Sequence, residues 1–194
     1  MKAAQADLFT VSTPGMDGLR YSAELIDMAA EAALIDKIGD LPFRAFEFQG
    51  FLGKRRTVSF GMHYDFNGHG LGAADPIPDW LLPTRRHAAA FAGVAEDLLQ
   101  HVLVTEYAPG AGIGWHRDRP VFGRVIGISL LAPARLRFRR RDGDRWQRAV
   151  MLLEPRSAYL LSGPARRDWE HSIAPMEALR YSLTFRSLRS KDQL

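Results

Sequence analysis

Two periods of apolar and polar residues run along this chain, and the change between them falls near residue 101. Leu19, Tyr21, Ala23 and Leu25 alternate with Arg20, Ser22 and Glu24, the period-2 mark of a strand over 19–26. Asp27 is placed to cap a helix over 28–39, with Ala30, Ala33, Leu34 and Ile38 on one face and Gly39 as its stop. FRAFEF (43–48) and RRTVSFGMHYDF (55–66) read as two strands of an aromatic-rich hairpin. Residues 67–83, rich in Gly, Asp and Pro, predict a long loop of the kind that often forms a lid. A second helix is expected over 84–100, its stripe made of Ala88, Phe91, Ala92, Ala95, Leu98 and Leu99. Residues 1–18 follow neither period and are expected to be a flexible tail.

Beyond residue 101 the segments are short, β-branched or aromatic, and separated by Gly, Pro or Asp: HVLVTEYA, RVIGISLLA, ARLRFRR, RAVMLLE, SAYLLSG and LRYSLTFRSL. Asp142-Gly143 supplies a hairpin turn. Two helices followed by many short strands predict an α+β fold whose β part closes as a jelly roll or barrel. The 194 residues, 46% hydrophobic, suit a single domain over about 19–190. The absence of cysteine excludes disulfides, thiolate zinc sites, iron–sulfur clusters and cysteine nucleophiles. There is no apolar run of about 18 residues and no secretory signal at the start, so a cytoplasmic protein without membrane attachment, and a monomer, is expected. A net charge of +4 and a pI of about 9.7 fit a polyanionic partner, as they also fit many basic proteins that bind none.

Candidate chemistry centres on GIGWHRDRPVFG (112–123), where His116 and Asp118 lie two apart. The pair is either a turn with surface charge or two ligands of a metal ion, since residues i and i+2 of a strand reach the same side. A third candidate ligand is His171, in DWEHSIAP. Two histidines and a carboxylate on one face of an octahedron are the arrangement of non-haem Fe(II) oxygenases. In the last segment, RYSLTFR, one face carries Tyr181, Leu183 and Phe185 and the other Arg180, Ser182, Thr184 and Arg186. Either the second face meets water, or it lines an interior where two guanidinium groups require anions. A dicarboxylate would meet that requirement, and the arginine fork matches its oxygens.

In order, TEYAPGAGIGWHRD, ISLLAPARLRFR, LEPRSAYLLSGPARRDWEHSIAP and RYSLTFR resemble the AlkB family of Fe(II)- and 2-oxoglutarate-dependent dioxygenases. The resemblance is strong over about 100–187 and weaker over 19–66. It implies a double-stranded β-helix, or jelly roll, over about 100–187, with N-terminal supporting helices. It also implies a nucleotide-recognition lid within about 43–83. By the same resemblance His116, Asp118 and His171 are the iron ligands. Arg180 pairs with the C5 carboxylate of 2-oxoglutarate and Tyr107 helps hold that end. Arg186 lies near the C1 carboxylate, and Thr105 and Ser182 stand where some members have asparagines that contact the co-substrate. The implied activity uses Fe(II), 2-oxoglutarate and O2 to demethylate N-alkylated DNA or RNA, releasing formaldehyde, succinate and CO2. Where DNA-repair members often carry an acid two positions after the aspartate ligand, this chain has Pro120. That departure leaves open the same chemistry on a tRNA modification or a methylated protein, beside a non-catalytic nucleic-acid-binding module.

Nucleic-acid contacts are expected from Arg56, Phe60 and Tyr64, with His63 and Trp80 as further stacking candidates; packing is the alternative reading for each of the four aromatic rings. Lys54 and Arg55 and the arginines of 135–141 stand ready to neutralise phosphates; a solvated strand face is the alternative reading. Trp169, two before His171, is expected to support that side chain. QADLF, with Gln5, Leu8 and Phe9, resembles the short peptides by which bacterial repair and replication proteins bind the sliding clamp; folding of Leu8 and Phe9 onto the domain is the alternative reading.

Overall fold

A computed structural model describes residues 15–48, 51–65 and 70–189. In chain order the elements are β1 (Leu19–Ser22), α1 (Met28–Gly39), β2 (Arg44–Phe48), β3 (Phe51–Phe60), β4 (Met62–Asp65), β5 (Gly70–Ala73), α2 (Leu82–Ala92) and β6 (Leu99–Tyr107). There follow β7 (Ile113–His116), β8 (Phe122–Leu131), β9 (Ala134–Asp142), β10 (Arg145–Leu153), β11 (Ala158–Leu161), α3 (Gly163–Arg167), β12 (Glu170–Ile173) and β13 (Arg180–Leu188). Seven strands form the major sheet, in the order β1-β11-β8-β13-β6-β3-β2, and four the minor sheet, β10-β9-β12-β7. β4 and β5 make a separate ribbon. Every pairing is antiparallel. The two sheets stack face to face as the expected jelly roll.

Side-chain alternation on the central strands divides the interior in two. Tyr181, Leu183 and Phe185 of β13, Val102 and Val104 of β6, and Ile126, Ile128 and Leu130 of β8 pack with Leu34 and Ile38 of α1 and Ala88, Ala89 and Ala92 of α2. The helices thus cover the outer face of the major sheet. On its inner face Val125, Tyr107, Tyr159 and Leu161 meet Leu136 and Phe138 of β9, Met151 and Leu153 of β10 and Ile173 of β12. The four alternating polar residues of β13 therefore look inward, between the sheets, and the choice left open by the sequence is decided for the interior.

Several boundaries differ from expectation. The first strand ends at Ser22, and Asp27 caps α1 by accepting from Ala30 N at 2.8 Å. α2 begins at Leu82 and stops at Gly93, not at residue 100. Gly93 adopts φ 65°, and its N–H with that of Val94 closes onto Ala89 O and Ala90 O, the left-handed cap that ends a helix. The segment 43–83 is not one loop with one hairpin. β2 and β3 extend the major sheet, β5 lies inside the expected loop, and a 3₁₀ turn at Asp79–Leu81 leads into α2. The end of the expected tail is fixed: Met16 is buried, and Asp17 and Gly18 carbonyls accept from Ala165 N and Ser162 N. Gln5, Leu8 and Phe9 lie outside the described residues. No helix among the described residues is long and apolar enough to cross a membrane.

Candidate active site

β7 and β12 are neighbours, and their register sets His116 directly opposite His171. The ring centroids are 4.2 Å apart. A bulge between the His171 and Ile173 pairings lets both Ile113 and His116 face the core, although an odd number of positions separates them. Asp118 follows β7, and its Oδ2 lies 3.6 Å from His171 Nε2. Side chains from two segments remote in sequence, His116 and Asp118 from one and His171 from the other, therefore lie together. The turn that carries Asp118 is tied down by buried Arg166 of α3, which donates to the Arg119 carbonyl.

The electrostatics of this group suit metal ligation. The Nδ1 of His116 lies 2.9 Å from Gly114 O. A proton on Nδ1 to serve that carbonyl leaves the Nε2 lone pair for a cation. Burial lowers the His116 pKa, and burial followed by the nearby His116 lowers that of His171 to about 3. Both imidazoles are neutral at pH 7, the form that binds a metal. Burial opposes the charge on Asp118, but Arg186, His171 and His116 outweigh it and hold the carboxyl well below the usual range. Arg186 Nε and Nη2 each lie 2.9 Å from Asp118 Oδ1. As placed, the carboxylate leans on Arg186 and the imidazoles on each other, so among the described residues no three donors already surround a common point. His171 Nδ1 is buried without a hydrogen-bond partner.

Beyond the histidines the interior face of the major sheet becomes polar. Arg180 is 1% exposed, donates from Nε to Ser129 Oγ at 2.9 Å, and lies 5.1 Å from the Tyr107 ring. Its Nη1 has no partner, and among the described residues no carboxylate lies within ion-pair distance. Burial lowers its pKa, with Tyr107 and Tyr159 opposing. Ser182 is paired in register with Ser129 on one side and Thr105 on the other, and Thr57 continues the row on β3. Ser129, Ser182 and Thr105 are buried. A buried cation with an unused donor, beside a floor of hydroxyls, fits a small anion with further polar atoms.

One wall residue carries no mark in the sequence pattern. Tyr159 of β11 is buried, and burial, followed by the Asp118 and Tyr107 charges, raises its pKa. Its ring lies over Gly127 of β8, where an added Cβ would fall 2.3 Å from ring carbons. Gly127→Ala therefore displaces Tyr159. We expect binding of the anion that Arg180 would receive to weaken at least about tenfold while the fold persists, overpacking of this kind costing about 1–3 kcal/mol; ligand titration with circular dichroism checks both.

The expected substrate contacts fare differently. Phe60 is buried in the core beneath the helices, so it follows the packing reading and the stacking role is withdrawn. Arg56 turns to the helix-covered face, where Glu106 holds it at 2.7 and 2.8 Å and Phe43 lies under its guanidinium. It does not face the cleft. Its neighbour Arg55 takes the opposite face of β3 by alternation, and burial lowers its pKa. Tyr64 lies on β4 and His63 beside it, with side chains outside the described residues. Trp80 packs against the helix-side core. Trp169 is buried near the minor sheet with Arg140 over its ring at 4.9 Å.

The family model described as the 2OG-Fe(II) oxygenase superfamily matches residues 39–186, a span that takes in every residue of this site. The chain belongs to that superfamily. Its relatives put it in the AlkB family. The alpha-ketoglutarate-dependent dioxygenase AlkB of Salmonella typhimurium is 29% identical over 217 residues, covering 96% of this chain and 99% of that protein. The mitochondrial alkB homolog 7 of Mus musculus is 37% identical over 127 residues, 62% of this chain and 56% of its own. The solved structure of OsALKBH1 superposes with a TM-score of 0.63 at 16% identity, over 88% of this chain and 98% of the other, which supports the fold. The protein is accordingly a dioxygenase that uses Fe(II), 2-oxoglutarate and O2.

Proposed function

We propose that this dioxygenase oxidatively demethylates N-alkylated nucleic acid, with His116, Asp118 and His171 holding Fe(II). The observation that carries the site assignment is the cross-strand pair of neutral histidines beside an ionised, buried aspartate, next to a buried arginine that lacks an anion. Two imidazole nitrogens and one carboxylate oxygen are the donor set of the 2-His-1-carboxylate centre. Arg180 receives the distal carboxylate of 2-oxoglutarate, Tyr107 and Tyr159 flank that end, and Thr105 and Ser182 supply hydroxyls along its length. Arg186 holds Asp118 in place through Nε and Nη2, while its Nη1 lies 3.4 Å from His101 Nδ1; by the AlkB resemblance it would stand near the proximal carboxylate. When bound, the iron and its co-substrates supply the oxidising power: decarboxylation of 2-oxoglutarate to succinate and CO2, and transfer of an oxygen atom to a substrate C–H bond. On an N-methyl group the product is a hemiaminal, which loses formaldehyde.

The nucleic-acid reading draws on the AlkB resemblance and on Arg55, a cation on the face of β3 opposite to that of Arg56, where a phosphate would be stabilised. Pro120 favours a second reading, the same oxidation of a tRNA modification or a methylated protein side chain, because its ring accepts no hydrogen bond from a base amine. A panel of methylated DNA, tRNA and peptide, assayed for formaldehyde and succinate in the presence of Fe(II), separates the two. Formaldehyde from methylated oligonucleotide supports the first; formaldehyde from peptide alone overturns it.

A further inference from the structure

The outer face of the minor sheet carries a row of charge for which the oxygenase centre has no use. On β9, Arg135, Arg137, Arg139 and Arg141 point away from the core that Leu136 and Phe138 enter, a row about 20 Å long at roughly 3.3 Å per residue. β10 adds Arg148, directly opposite Arg139. Glu170 holds Arg139 at 2.6 Å, but among the described residues no carboxylate lies within ion-pair distance of Arg135, Arg137, Arg141 or Arg148. Like charges directly opposite on a sheet destabilise it, so the fold by itself gives no reason for this face.

Two tryptophans interleave with the arginines. The Trp115 ring lies 5.2 Å from the Arg137 guanidinium and 4.5 Å from that of Arg139; Trp146 lies 4.5 Å from Arg139 and 5.1 Å from Arg141. Stacking fixes these guanidinium groups in a ladder before any ligand arrives. Trp146 is 38% and Val150 52% exposed, an apolar surface set among cations. A groove of about 280 Å³ runs between Trp115, Arg137, Arg148 and Val150. A second, of about 300 Å³, shares Arg137 and continues to Lys54 and Gly114, two residues before His116. The cationic track thus leads from the far edge of the sheet toward the candidate metal site.

We infer that this face binds a single-stranded nucleic acid, phosphates on the arginines and unpaired bases against Trp146, and feeds the strand toward the cleft. The inference rests on the nucleic-acid reading above and names the surface that would hold the polymer outside the cleft. Charge complementarity selects a polyanion. The exposed indole selects unpaired bases, because a duplex offers no free base faces for stacking.

The test is fluorescence anisotropy of a labelled, unmethylated single-stranded oligonucleotide against the full chain at several salt concentrations. Arg135→Glu/Arg141→Glu/Arg148→Glu, all at exposed positions, is expected to weaken binding at least about 100-fold at low salt. It should also flatten the slope of log K against log salt by about 2, at about 0.7 for each phosphate that is no longer neutralised. Trp146→Ala is expected to weaken binding about 5- to 150-fold with the slope unchanged, the effect of removing one base stack. Native affinity and slope in the triple variant overturn the proposal. So does tighter binding of the matched duplex, or displacement by polyglutamate as effective as by DNA together with native binding in Trp146→Ala. Succinate formation without oligonucleotide, expected to be unchanged in both variants, reports that the fold is intact. If methylated oligonucleotides are not turned over while variant-sensitive binding persists, the substrate reading falls and the docking face stands. If the triple variant turns over methylated oligonucleotide with native KM, the docking face falls and the substrate reading stands.

Discussion

Arg180→Met is expected to make the 2-oxoglutarate-free protein more stable and at the same time nearly blind to 2-oxoglutarate. The two effects have one cause. Arg180 is a fully buried cation whose Nη1 has no partner and whose neighbours are a serine hydroxyl and two tyrosines. Without an anion it costs stability, and a methionine of similar length removes that cost. Replacement of buried ionic groups by apolar residues stabilises by about 1–4 kcal/mol in favourable cases. With the co-substrate bound, the same substitution leaves a buried carboxylate without its fork. Loss of one partner of such a pair costs about 2–5 kcal/mol, which is about 30- to 4,000-fold in affinity. Thermal unfolding of the 2-oxoglutarate-free protein and calorimetric titration of 2-oxoglutarate into manganese-loaded protein read the two halves. Arg180→Lys separates charge from shape: it keeps the cation, loses the fork, and recovers only part of the affinity. A variant that is less stable and still binds normally would make Arg180 a structural residue and remove the co-substrate pocket from this end of the cleft.

That Arg180 shares a face with Ser182, Thr184 and Arg186 was legible in the sequence because alternation on β13 is a local property; that this face looks into the interior and not into water was not. Tyr181, Leu183 and Phe185 needed a core, and whatever covers one face of a strand leaves the opposite set on the other. The meeting of His116 with His171 was not legible from spacing. It depends on the register of β7 against β12, which long-range packing and a bulge decide, and only the resemblance to a family joined the two beforehand. Parity explains the exchange of Arg56 for Arg55. Adjacent residues of a strand face opposite ways, and which of them enters the cleft follows from the pairing of β3 with β6, where Arg56 stands opposite Glu106. Tyr159 sits in a strand buried at all four positions, where no polar alternation marks a face. Its signal was instead Gly127, set among Val125, Ile126 and Ile128 of β8, a strand glycine that marks a close approach. The overlong second helix came from reading Leu98 and Leu99 as part of its stripe. Gly93 had the stronger claim, since a left-handed cap ends a helix whatever apolar residues follow.

Alanine at His116, Asp118 or His171 is expected to reduce 2-oxoglutarate turnover at least about 1,000-fold, but the three variants should differ in stability, and that difference tests the site more sharply than activity does. In the wild type, manganese with 2-oxoglutarate should raise the unfolding temperature, the stabilisation reaching about 2.7 kcal/mol at one hundred times the dissociation constant. All three variants should lose that response. Without metal, His171→Ala removes an imidazole that the fold keeps neutral at some desolvation cost, so the metal-free protein loses little beyond the cavity it leaves. Asp118→Ala removes the carboxylate on which Arg186 rests, leaving a largely buried guanidinium without its counter-ion, at about 3–5 kcal/mol. The double substitution Asp118→Ala/Arg186→Met removes both charges and should recover most of that loss without recovering metal binding. A metal response that survives in His171→Ala, or a double variant that binds manganese as the wild type does, would mean that these side chains meet for structural reasons and that the iron is held elsewhere.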